Sequence, residues 1–391
     1  MTTVIVGGAR TPMGRLLGSL SGFTAVDLGA HAIRAALAKS GVAPELVEHV
    51  IMGNVIQAGN RMNPSRQAAV AAGLGMHVPT VTVNNVCLSG MEAIIQADQR
   101  IRLGEADVVV AGGMESMTRA PHLLPNGRTG VKYGAMEVVD AIANDALTDC
   151  FDGLSMGAST ESFNSRYGFT RADQDAFAAA SHQRAHAAAQ SGRFADEIAP
   201  VSITGRKGEA TEFAVDEGVR PDTTLETLSA LRPAFSKDGS ITAGNSSQIS
   251  DGAAAVVLMS KSRAEALGLR WIAEIVSTAE VAGPDPSLHL QPANAIRAAA
   301  AKAGVSISDL SLFEINEAFA AVGVASQLDL GVPHDIVNVN GGAIAMGHPV
   351  GMSGARITLH LALELARRNG GLGAAALCGG GGQGTAIVVK V

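Results

Sequence analysis

The chain has 391 residues, of which 47% are hydrophobic and only 3% aromatic, and its formal net charge at pH 7 is −7. A chain of this length and hydrophobic content is expected to be globular, with room for two or three domains and substantial buried cores. The negative charge argues against a nucleic-acid-binding protein, although arginines or helix N-termini can still hold an anionic ligand locally.

The cysteines and the apolar segments indicate the cellular compartment in which the protein is expected to reside. Cys87, Cys150 and Cys378 are too few and too scattered for a disulfide framework, and their odd number is typical of a reducing environment. The N-terminus lacks a basic segment followed by a long apolar one, and no uninterrupted apolar run reaches the length of a membrane span. We therefore expect a soluble, cytoplasmic protein with free thiols and no membrane partner.

The first part of the chain alternates between strand-like and helix-like patterns. Apolar and β-branched runs predict strands, and alanine-rich segments of helical periodicity predict helices. In chain order these are a strand over 3–6, a helix over 28–37, a strand over 47–52, a helix over 64–73, and strands over 80–86 and 106–111. Such alternation is typical of a sheet built from βαβ units.

The composition changes at about residue 118. Pro, Asn, Gly and charged residues become frequent, a helix is predicted near 170–191, and a buried strand resumes over 252–259. We interpret the segment between as an insertion. Its basic residues are explained more simply by a solvated surface than by phosphate binding. They are Arg206, Lys207, Arg220, Arg232 and Lys237.

The last third of the chain repeats the order of the first. The matching segments are 47–54 with 309–316, 81–85 with 336–340, 87–90 with 351–354, and 109–113 with 374–380. Correspondences in one order indicate two similar βαβ halves. Facing halves bring strand ends and helix N-termini together at a switch point, where we expect a shared site.

Cys87 lies where a predicted strand meets a predicted helix. A thiol in that position lies in the positive end of the helix dipole, beside unpaired backbone N–H groups that stabilise a thiolate. Cys87 is therefore a candidate nucleophile that favours the thiolate form. Without such context, a single cysteine is more often a small buried residue.

Three further polar groups lie at element ends in the second half. Asn316 follows a predicted strand, His348 lies in a Gly-His-Pro segment, and Cys378 ends a strand before a run of four glycines. His348 has the chemistry to take the proton of Cys87 and then donate its N–H to a substrate carbonyl oxygen.

Cys378 suggests a second proton-transfer group. No Cys or His lies near it at a metal-binding spacing, so we expect no metal there and interpret the thiol as a shuttle for a proton on a carbon acid. The N–H of Gly380 is free to form an oxyanion hole with the N–H of Cys87. This set fits acyl transfer that makes or breaks a carbon–carbon bond.

Five motifs include these residues. They are NNVCLSG at 84–90, GGMESM at 112–117, NEAFA at 316–320, NVNGGAIAMGHPVG at 338–351 and CGGGGQG at 378–384. On these motifs the sequence resembles the thiolase family along almost its whole length, most closely the acetyl-CoA C-acetyltransferases.

The resemblance implies a thiolase-like α/β fold, layered α/β/α/β/α. An N-terminal half of residues 1–117 and 248–270 and a C-terminal half of 271–391 would flank an inserted loop domain, 118–247, that binds coenzyme A. Thiolases are usually tetramers or dimers. Coenzyme A would be a substrate and product, with no permanently bound cofactor and no metal, in fatty acid metabolism.

The resemblance also implies catalytic roles. Cys87 would be the acylated nucleophile, His348 would activate it, and Cys378 would move the proton on the α-carbon of the second acetyl group. Asn316 would hold a water that joins His348 Nε2 in one oxyanion hole, and the N–H groups of Cys87 and Gly380 would form the other. The implied reaction is the reversible condensation of two acetyl-CoA molecules to acetoacetyl-CoA and CoA.

A binding set follows from the same resemblance. Arg220 matches a position at the nucleotide end of coenzyme A, and Ser247 matches one near the pantetheine. Met156 and Phe235 match positions that line the acyl end, and Phe319 belongs to the same binding set.

Alternatives differ in substrate or in chemistry. Ser155 precedes Met156, where well-known biosynthetic thiolases have a histidine, so a degradative 3-ketoacyl-CoA thiolase of broader chain length is the nearest alternative. A β-ketoacyl synthase would have a second histidine in place of Cys378. A non-catalytic, thiolase-like lipid-binding protein should have lost one of the reactive groups, and all of them are present here.

Overall fold

The computed structural model describes residues 1–205 and 208–391, so Arg206 and Lys207 of the basic set lie outside the described residues. The strands are β1 (Thr3–Arg10), β2 (Gly14–Arg15), β3 (His49–Gly53), β4 (Thr80–Val83), β5 (Val108–Ser116), β6 (His122–Leu123), β7 (Val139–Asp140), β8 (Val201–Thr204), β9 (Ala210–Phe213), β10 (Ser250–Ser260), β11 (Ala273–Ala282), β12 (Leu310–Ile315), β13 (Leu372–Gly379) and β14 (Gln383–Lys390). The α-helices are α1 (Ala25–Ser40), α2 (Pro64–Ala71), α3 (Ser89–Leu103), α4 (Ala141–Asp145), α5 (Met156–Phe163), α6 (Arg171–Gln190), α7 (Leu225–Ser229), α8 (Lys261–Ala266), α9 (Gln291–Ala303), α10 (Ala320–Leu330), α11 (Ala343–Met346) and α12 (Ser353–Arg367).

A mixed sheet of ten strands runs through the protein. Its order is β12-β13-β14-β11-β1-β10-β5-β3-β4, with β2 paired to β10. The pairing of β1 with β11 is limited to Val4 opposite Glu274 and Ile5 opposite Ala273, so the sheet divides there into two halves. On each side, the outer strands pair in parallel and the strands nearer the junction pair antiparallel. The predicted α/β architecture of two similar halves is confirmed.

The helices complete five layers. Helices α1 and α2 pack on the outer face of the first half, α9 packs on the outer face of the second, and α3 and α12 lie together between the two halves. Separate apolar clusters fill the two outer interfaces, and a larger one surrounds the central helices. Burial of this apolar surface, worth roughly 25 cal/mol per Å², is the main force that holds the layers together.

The central helices approach each other at two glycines. A Cβ placed on Gly354 would lie 2.4 Å from the backbone nitrogen of Met91, and one placed on Gly90 would lie 2.8 Å from the carbonyl oxygen of Gly351. Real Cβ atoms do not come this close to backbone atoms, so both positions need glycine. This contact brings the start of α3, beside Cys87, against the start of α12, beside His348.

Local signals explain several element ends. Helix α1 begins after Thr24, whose side chain and that of Asp27 form a capping box, and it ends at Gly41 in the left-handed conformation. The helix predicted over 28–37 is therefore longer at both ends. Strand β4 ends at Val83, three residues before its predicted end, because the chain turns into the loop that carries Cys87.

The repeat matches 336–340 with the strand-forming segment 81–85, but residues 336–340 do not form a strand. His334–Ile336 form a 3₁₀ turn, Val337 makes one isolated parallel bridge to Phe313, and Asn338 has a left-handed φ of 47°. The Asn338 side chain accepts the N–H of Ile315 at 2.8 Å and donates to its carbonyl oxygen at 2.8 Å. The amide side chain thus pairs with the edge of β12 in place of a strand backbone, which leaves the chain free to turn into α11.

The segment 118–247 adds no strand to the large sheet among the residues described. Its strands pair as β6 with β7 and β8 with β9, and its longest helix is α6. A buried ion-pair network joins it to the first half, because Arg10 in β1 contacts Glu197 at 2.7 Å and Asp216 at 2.6 Å. Losing one partner of a buried pair typically costs about 3–5 kcal/mol, so these contacts hold the segment in place. Its predicted limits, 118–247, stay a prediction.

Among the helices of residues 1–205 and 208–391, none combines the length and the apolar character needed to cross a membrane.

Candidate active site

Cys87 lies in a tight, strained turn before α3. Val86, which precedes it, has a φ of 48°, a conformation that is costly for a β-branched side chain. The Ser89 hydroxyl holds the turn, since it donates to the Val86 carbonyl oxygen at 2.6 Å and accepts the N–H of Asn85 at 2.8 Å. Local strain of this kind is often found where a side chain must be presented to a ligand.

A small cavity brings together the predicted reactive groups. Its volume is about 40 Å³, and Cys87, His348, Cys378 and Gly380 all line it. The rest of the wall is mainly apolar and includes Ala146, Leu147, Met156, Ser247, Leu288, Ala318, Phe319 and Val350. The two thiols and the imidazole therefore face one small, mainly apolar space. Cys150 is exposed and is not part of this wall.

Backbone donors surround the Cys87 sulfur. The N–H groups of Cys87 and Gly380 both bond toward it and lower its pKa in part. Gly380 follows the end of β13, whose last residues include Cys378, so strand β13 places the second thiol and this N–H side by side. Two converging N–H groups next to a nucleophile are the arrangement that stabilises an oxyanion.

His348 is held at both ring nitrogens. Its Nδ1 lies 2.6 Å from the Ser353 hydroxyl, and its Nε2 lies 3.5 Å from the Asn316 amide nitrogen. Asn316 is buried behind His348, and its side-chain oxygen has no hydrogen-bond partner among the described residues. A buried amide oxygen without a protein partner is suited to bind a water molecule or a substrate group. Asn316 thus approaches the site through His348 and does not form the cavity wall.

The protonation states differ from the expectation that Cys87 favours the thiolate form. Burial raises the pKa of the Cys87 thiol to about 12, and burial together with the charge of Arg356 lowers the pKa of His348 to about 4. Burial, followed by the nearby Cys87, also raises the pKa of Cys378. At neutral pH the free protein therefore contains two thiols and a neutral imidazole, because dehydration outweighs the helix N-terminus.

A larger cavity adjoins the first. It has a volume of about 530 Å³, and the whole predicted binding set lines it: Arg220, Ser247, Met156, Phe235 and Phe319. It shares Leu147, Met156, Ser247, Phe319, His348 and Val350 with the small cavity. Arg220 and Gln248 also line a third cavity of about 190 Å³, together with Asp222 and Thr227. The three spaces form a path from the surface of the inserted segment to Cys87.

Several residues of the site are assigned no role by the sequence analysis. Ser353 contacts His348, and Glu115 accepts the N–H of Gly351 in the loop that carries His348. Leu147 and Val350 close the apolar wall, and Gln248 lines the path. The repeat offered one usable hint, because Ser353 corresponds to Ser89, which holds the Cys87 turn.

In the part of the chain that the structure covers, no three His, Cys, Asp or Glu side chains come together as a metal site requires.

Comparisons with known proteins agree with the fold. Residues 3–262 match the family model of the thiolase N-terminal domain, and residues 269–391 match that of the thiolase C-terminal domain. The chain is 59% identical to a probable acetyl-CoA acetyltransferase of Mycolicibacterium smegmatis, and the alignment covers 99% of this chain and all of the relative. It is 58% identical to a probable acetyl-CoA acetyltransferase of Mycobacterium leprae, with an alignment that covers all of this chain and 99% of the relative. It is 49% identical to an acetyl-CoA acetyltransferase of Pseudomonas aeruginosa, over 99% of this chain and 98% of the relative. With family models matching nearly its whole length and relatives this similar, the chain belongs to the thiolase family.

Proposed function

We propose that this thiolase is an acetyl-CoA acetyltransferase, which condenses two acetyl-CoA molecules to acetoacetyl-CoA and CoA and catalyses the reverse cleavage. The observation that carries the proposal is the common cavity of Cys87, His348 and Cys378. The names of the Mycolicibacterium smegmatis and Pseudomonas aeruginosa relatives support the same activity. Coenzyme A acts as substrate and product, and the enzyme keeps no bound cofactor.

The first half-reaction transfers an acyl group to Cys87. As the sulfur attacks the thioester carbonyl carbon, its proton passes to His348 Nε2, because neither group is ionised beforehand. The carbonyl oxygen gains negative charge, which the N–H groups of Cys87 and Gly380 stabilise. CoA leaves as a thiolate that takes the proton of the Cys378 thiol, and the acetyl group stays on Cys87 as a thioester.

The second half-reaction forms the carbon–carbon bond. A base must remove an α-proton from the second acetyl-CoA, and Cys378 is the remaining ionisable group in the cavity wall besides Cys87 and His348. Its raised pKa makes its thiolate a strong base, which suits a weak carbon acid. Asn316, through a bound water, and the N–H that His348 Nε2 gained from Cys87 stabilise the enolate oxygen while the α-carbon attacks the acetyl group on Cys87. The Cys87 sulfur then leaves and takes its proton back from His348.

Coenzyme A occupies the path between the cavities. Arg220 lines both the larger cavity and the third cavity of about 190 Å³, so it binds the charged nucleotide end, and Ser247 lies next to the pantetheine. Met156, Phe235 and Phe319 surround the acyl end. The ring centroids of Phe235 and Phe319 are 6.3 Å apart in an edge-to-face arrangement, which gives this wall a defined shape.

The size of the inner cavity favours a short acyl group. About 40 Å³ beside Cys87 accommodates an acetyl group better than a long chain, because Leu147, Leu288 and Val350 close it. The wider cavity next to Ser155 favours the second candidate, a 3-ketoacyl-CoA thiolase of broader chain length. A non-catalytic lipid-binding role has no comparable support, since every reactive group is in place.

The enzyme acts as a homotetramer or homodimer in the cytoplasm, in fatty acid metabolism. Strand β4 is an edge of the large sheet with an exposed Val81, and an unpaired edge invites pairing with a second copy. Between β6 and β7, large apolar side chains are exposed, which supports a further contact between subunits. They are Leu124, Val131, Tyr133, Met136 and Val138. Free cysteines support the location.

One assay tests the proposal. Purified enzyme should cleave acetoacetyl-CoA when CoA is added and should lose activity as the acyl chain of the 3-ketoacyl-CoA lengthens. Initial rates should give parallel double-reciprocal plots, because a covalent intermediate separates the two substrates. Equal rates for long chains would favour the broader thiolase. No turnover, together with no acylation of Cys87, would exclude both enzymes.

A further inference from the structure

Ser353 opens helix α12 and lies directly behind His348. It is buried, with 2% of its surface exposed, and it lines neither the small cavity nor the larger one. Its hydroxyl oxygen lies 2.6 Å from His348 Nδ1 and 3.1 Å from the carbonyl oxygen of Pro349. Ser353 therefore contacts the imidazole without reaching the substrate space.

Only one of the two contacts of the Ser353 hydroxyl can receive its hydrogen, so the other must involve an oxygen lone pair. A hydroxyl has one hydrogen to donate and lone pairs to accept, and the Pro349 carbonyl oxygen only accepts. When the Ser353 hydroxyl donates to the Pro349 carbonyl oxygen, a lone pair of the hydroxyl oxygen faces His348 Nδ1. A hydrogen bond between them then requires a proton on Nδ1. A neutral imidazole has a single N–H, so a proton on Nδ1 leaves the Nε2 lone pair directed into the cavity.

The backbone holds the hydroxyl in this position. Pro349 O also accepts the N–H groups of Met352 and Ser353, at 2.9 and 3.1 Å, so the turn that starts α12 is closed around it. At the other ring nitrogen, the Asn316 amide nitrogen faces Nε2 at 3.5 Å, and an N–H from that amide also requires a lone pair on Nε2. The groups on both sides of the ring favour the same tautomer.

Ser89, the residue of the first half that corresponds to Ser353, makes a similar pair of hydrogen bonds to different groups. The Ser89 hydroxyl donates to the carbonyl of Val86 and accepts the backbone N–H of Asn85. Both serines are the first residue of a central helix, and both hydroxyls donate to a carbonyl in the preceding turn. In the second half, the group that faces the hydroxyl is the Nδ1 of the His348 ring in place of a backbone amide.

We propose that Ser353 is a positioning residue that keeps His348 protonated at Nδ1, so that Nε2 is the free base for the proton of Cys87. The inference rests on the proposed function for its kinetic consequence, but the position of the ring proton is independent of turnover. In the wrong tautomer, Nε2 carries the proton and cannot accept another as Cys87 attacks. Ser353 thus prepares the acylation step without touching substrate.

Two variants separate this role from general damage to α12. Ser353→Ala removes the hydroxyl beside His348. Thr358→Val is the matched control, because the buried Thr358 hydroxyl of the same helix donates to the Gly354 carbonyl oxygen and has no contact with His348. Rapid-quench acylation with labelled acetyl-CoA measures the first half-reaction, and neutron diffraction from crystals of the wild type and of Ser353→Ala locates the ring deuterium.

We expect deuterium on His348 Nδ1 of the wild type and a redistribution toward Nε2 in Ser353→Ala. The acylation rate should fall roughly 10²-fold, within the range that general base catalysis contributes, while the concentration of acetyl-CoA for half-saturation changes little. Thr358→Val should acylate at close to the wild-type rate.

Other outcomes overturn the inference. Deuterium on Nε2 of the wild type, or Ser353→Ala acylated as fast as the wild type, would contradict it. A slow Ser353→Ala with an unchanged tautomer would also contradict it, since the loss would then have another cause. A wild type that is never acylated refutes the proposed function instead, and neutron diffraction still tests the tautomer. If Ser353→Ala does not fold, the wild-type deuterium position alone decides.

Discussion

The Glu115 carboxylate accepts the backbone N–H of Gly351 at 3.1 Å, so the end of β5 in the first half is bonded to the loop that carries His348 in the second. The same carboxylate accepts the N–H groups of Val55 and Ile56, at 2.9 and 3.2 Å, and the Asn54 amide at 2.7 Å. Glu115 is fully buried. One side chain therefore orders two loops that come from different halves of the sheet.

Replacing Glu115 with alanine should destabilise the protein. The change leaves the N–H groups of Val55, Ile56 and Gly351 buried without an acceptor, and each such group costs about 1–3 kcal/mol. We expect the free energy of unfolding in urea to fall by at least about 3 kcal/mol. Glu105→Ala is the control, since that side chain is exposed. A loss of under about 1 kcal/mol in Glu115→Ala would show that the loops are held in another way.

Cys87 should carry the acyl group. Incubation with labelled acetyl-CoA, followed by peptide mass spectrometry, should place the label on the peptide that contains Cys87, because its sulfur lies beside the N–H groups of Cys87 and Gly380. Cys87→Ala should retain no label, whereas Cys150→Ala, at an exposed position, should be labelled like the wild type. A stable label on Cys150 or Cys378 would make this assignment wrong.

Cys378→Ala should separate the two half-reactions. Acylation of Cys87 requires no proton transfer at carbon, so the variant should still accept a labelled acetyl group. Condensation, and the exchange of α-protons with solvent, should be lost because the base is missing. Asn316→Ala should retain more condensation, since losing one oxyanion-hole donor typically costs roughly 10²–10³-fold in rate. Near-normal condensation by Cys378→Ala would leave that thiol a packing residue.

On the acid side of the pH–rate profile, the acylation rate of Cys87 should fall only at unusually low pH. The pKa of His348 is lowered to about 4, so its base form persists as pH falls and is lost only when the pH drops through about 4. The rate of Cys87 acylation should therefore be independent of this group from about pH 5 upward. Activity must be measured after return to pH 7 as well, to exclude unfolding in acid. A fall in acylation rate centred at about pH 6.5 would indicate that the pKa of the His348 imidazole is not lowered.

The order of strands and helices is predictable from the sequence because its signals are local. Alternating apolar runs, the caps at Thr24 and Gly41, and the repeat at 47–54 and 309–316 depend on residues close together in the chain. The placement of Cys87, His348 and Cys378 at element ends follows from the same signals. The correspondence of 336–340 with the strand-forming 81–85 does not extend to structure, because the Asn338 side chain pairs with Ile315, more than twenty residues away, in place of a strand backbone.

By itself, then, the sequence determined the two-half α/β architecture and the candidate reactive residues, and only the tertiary structure decided the chemical state of those residues. The helix start beside Cys87 predicted a thiolate, yet the folded protein holds a thiol whose pKa is about 12. The residues that shield the Cys87 thiol from water come from segments distant in the chain and include Leu147, Leu288 and Val350. No local sequence pattern can therefore predict this shielding. A pKa depends on how much water surrounds the group, and folding alone determines which residues exclude that water.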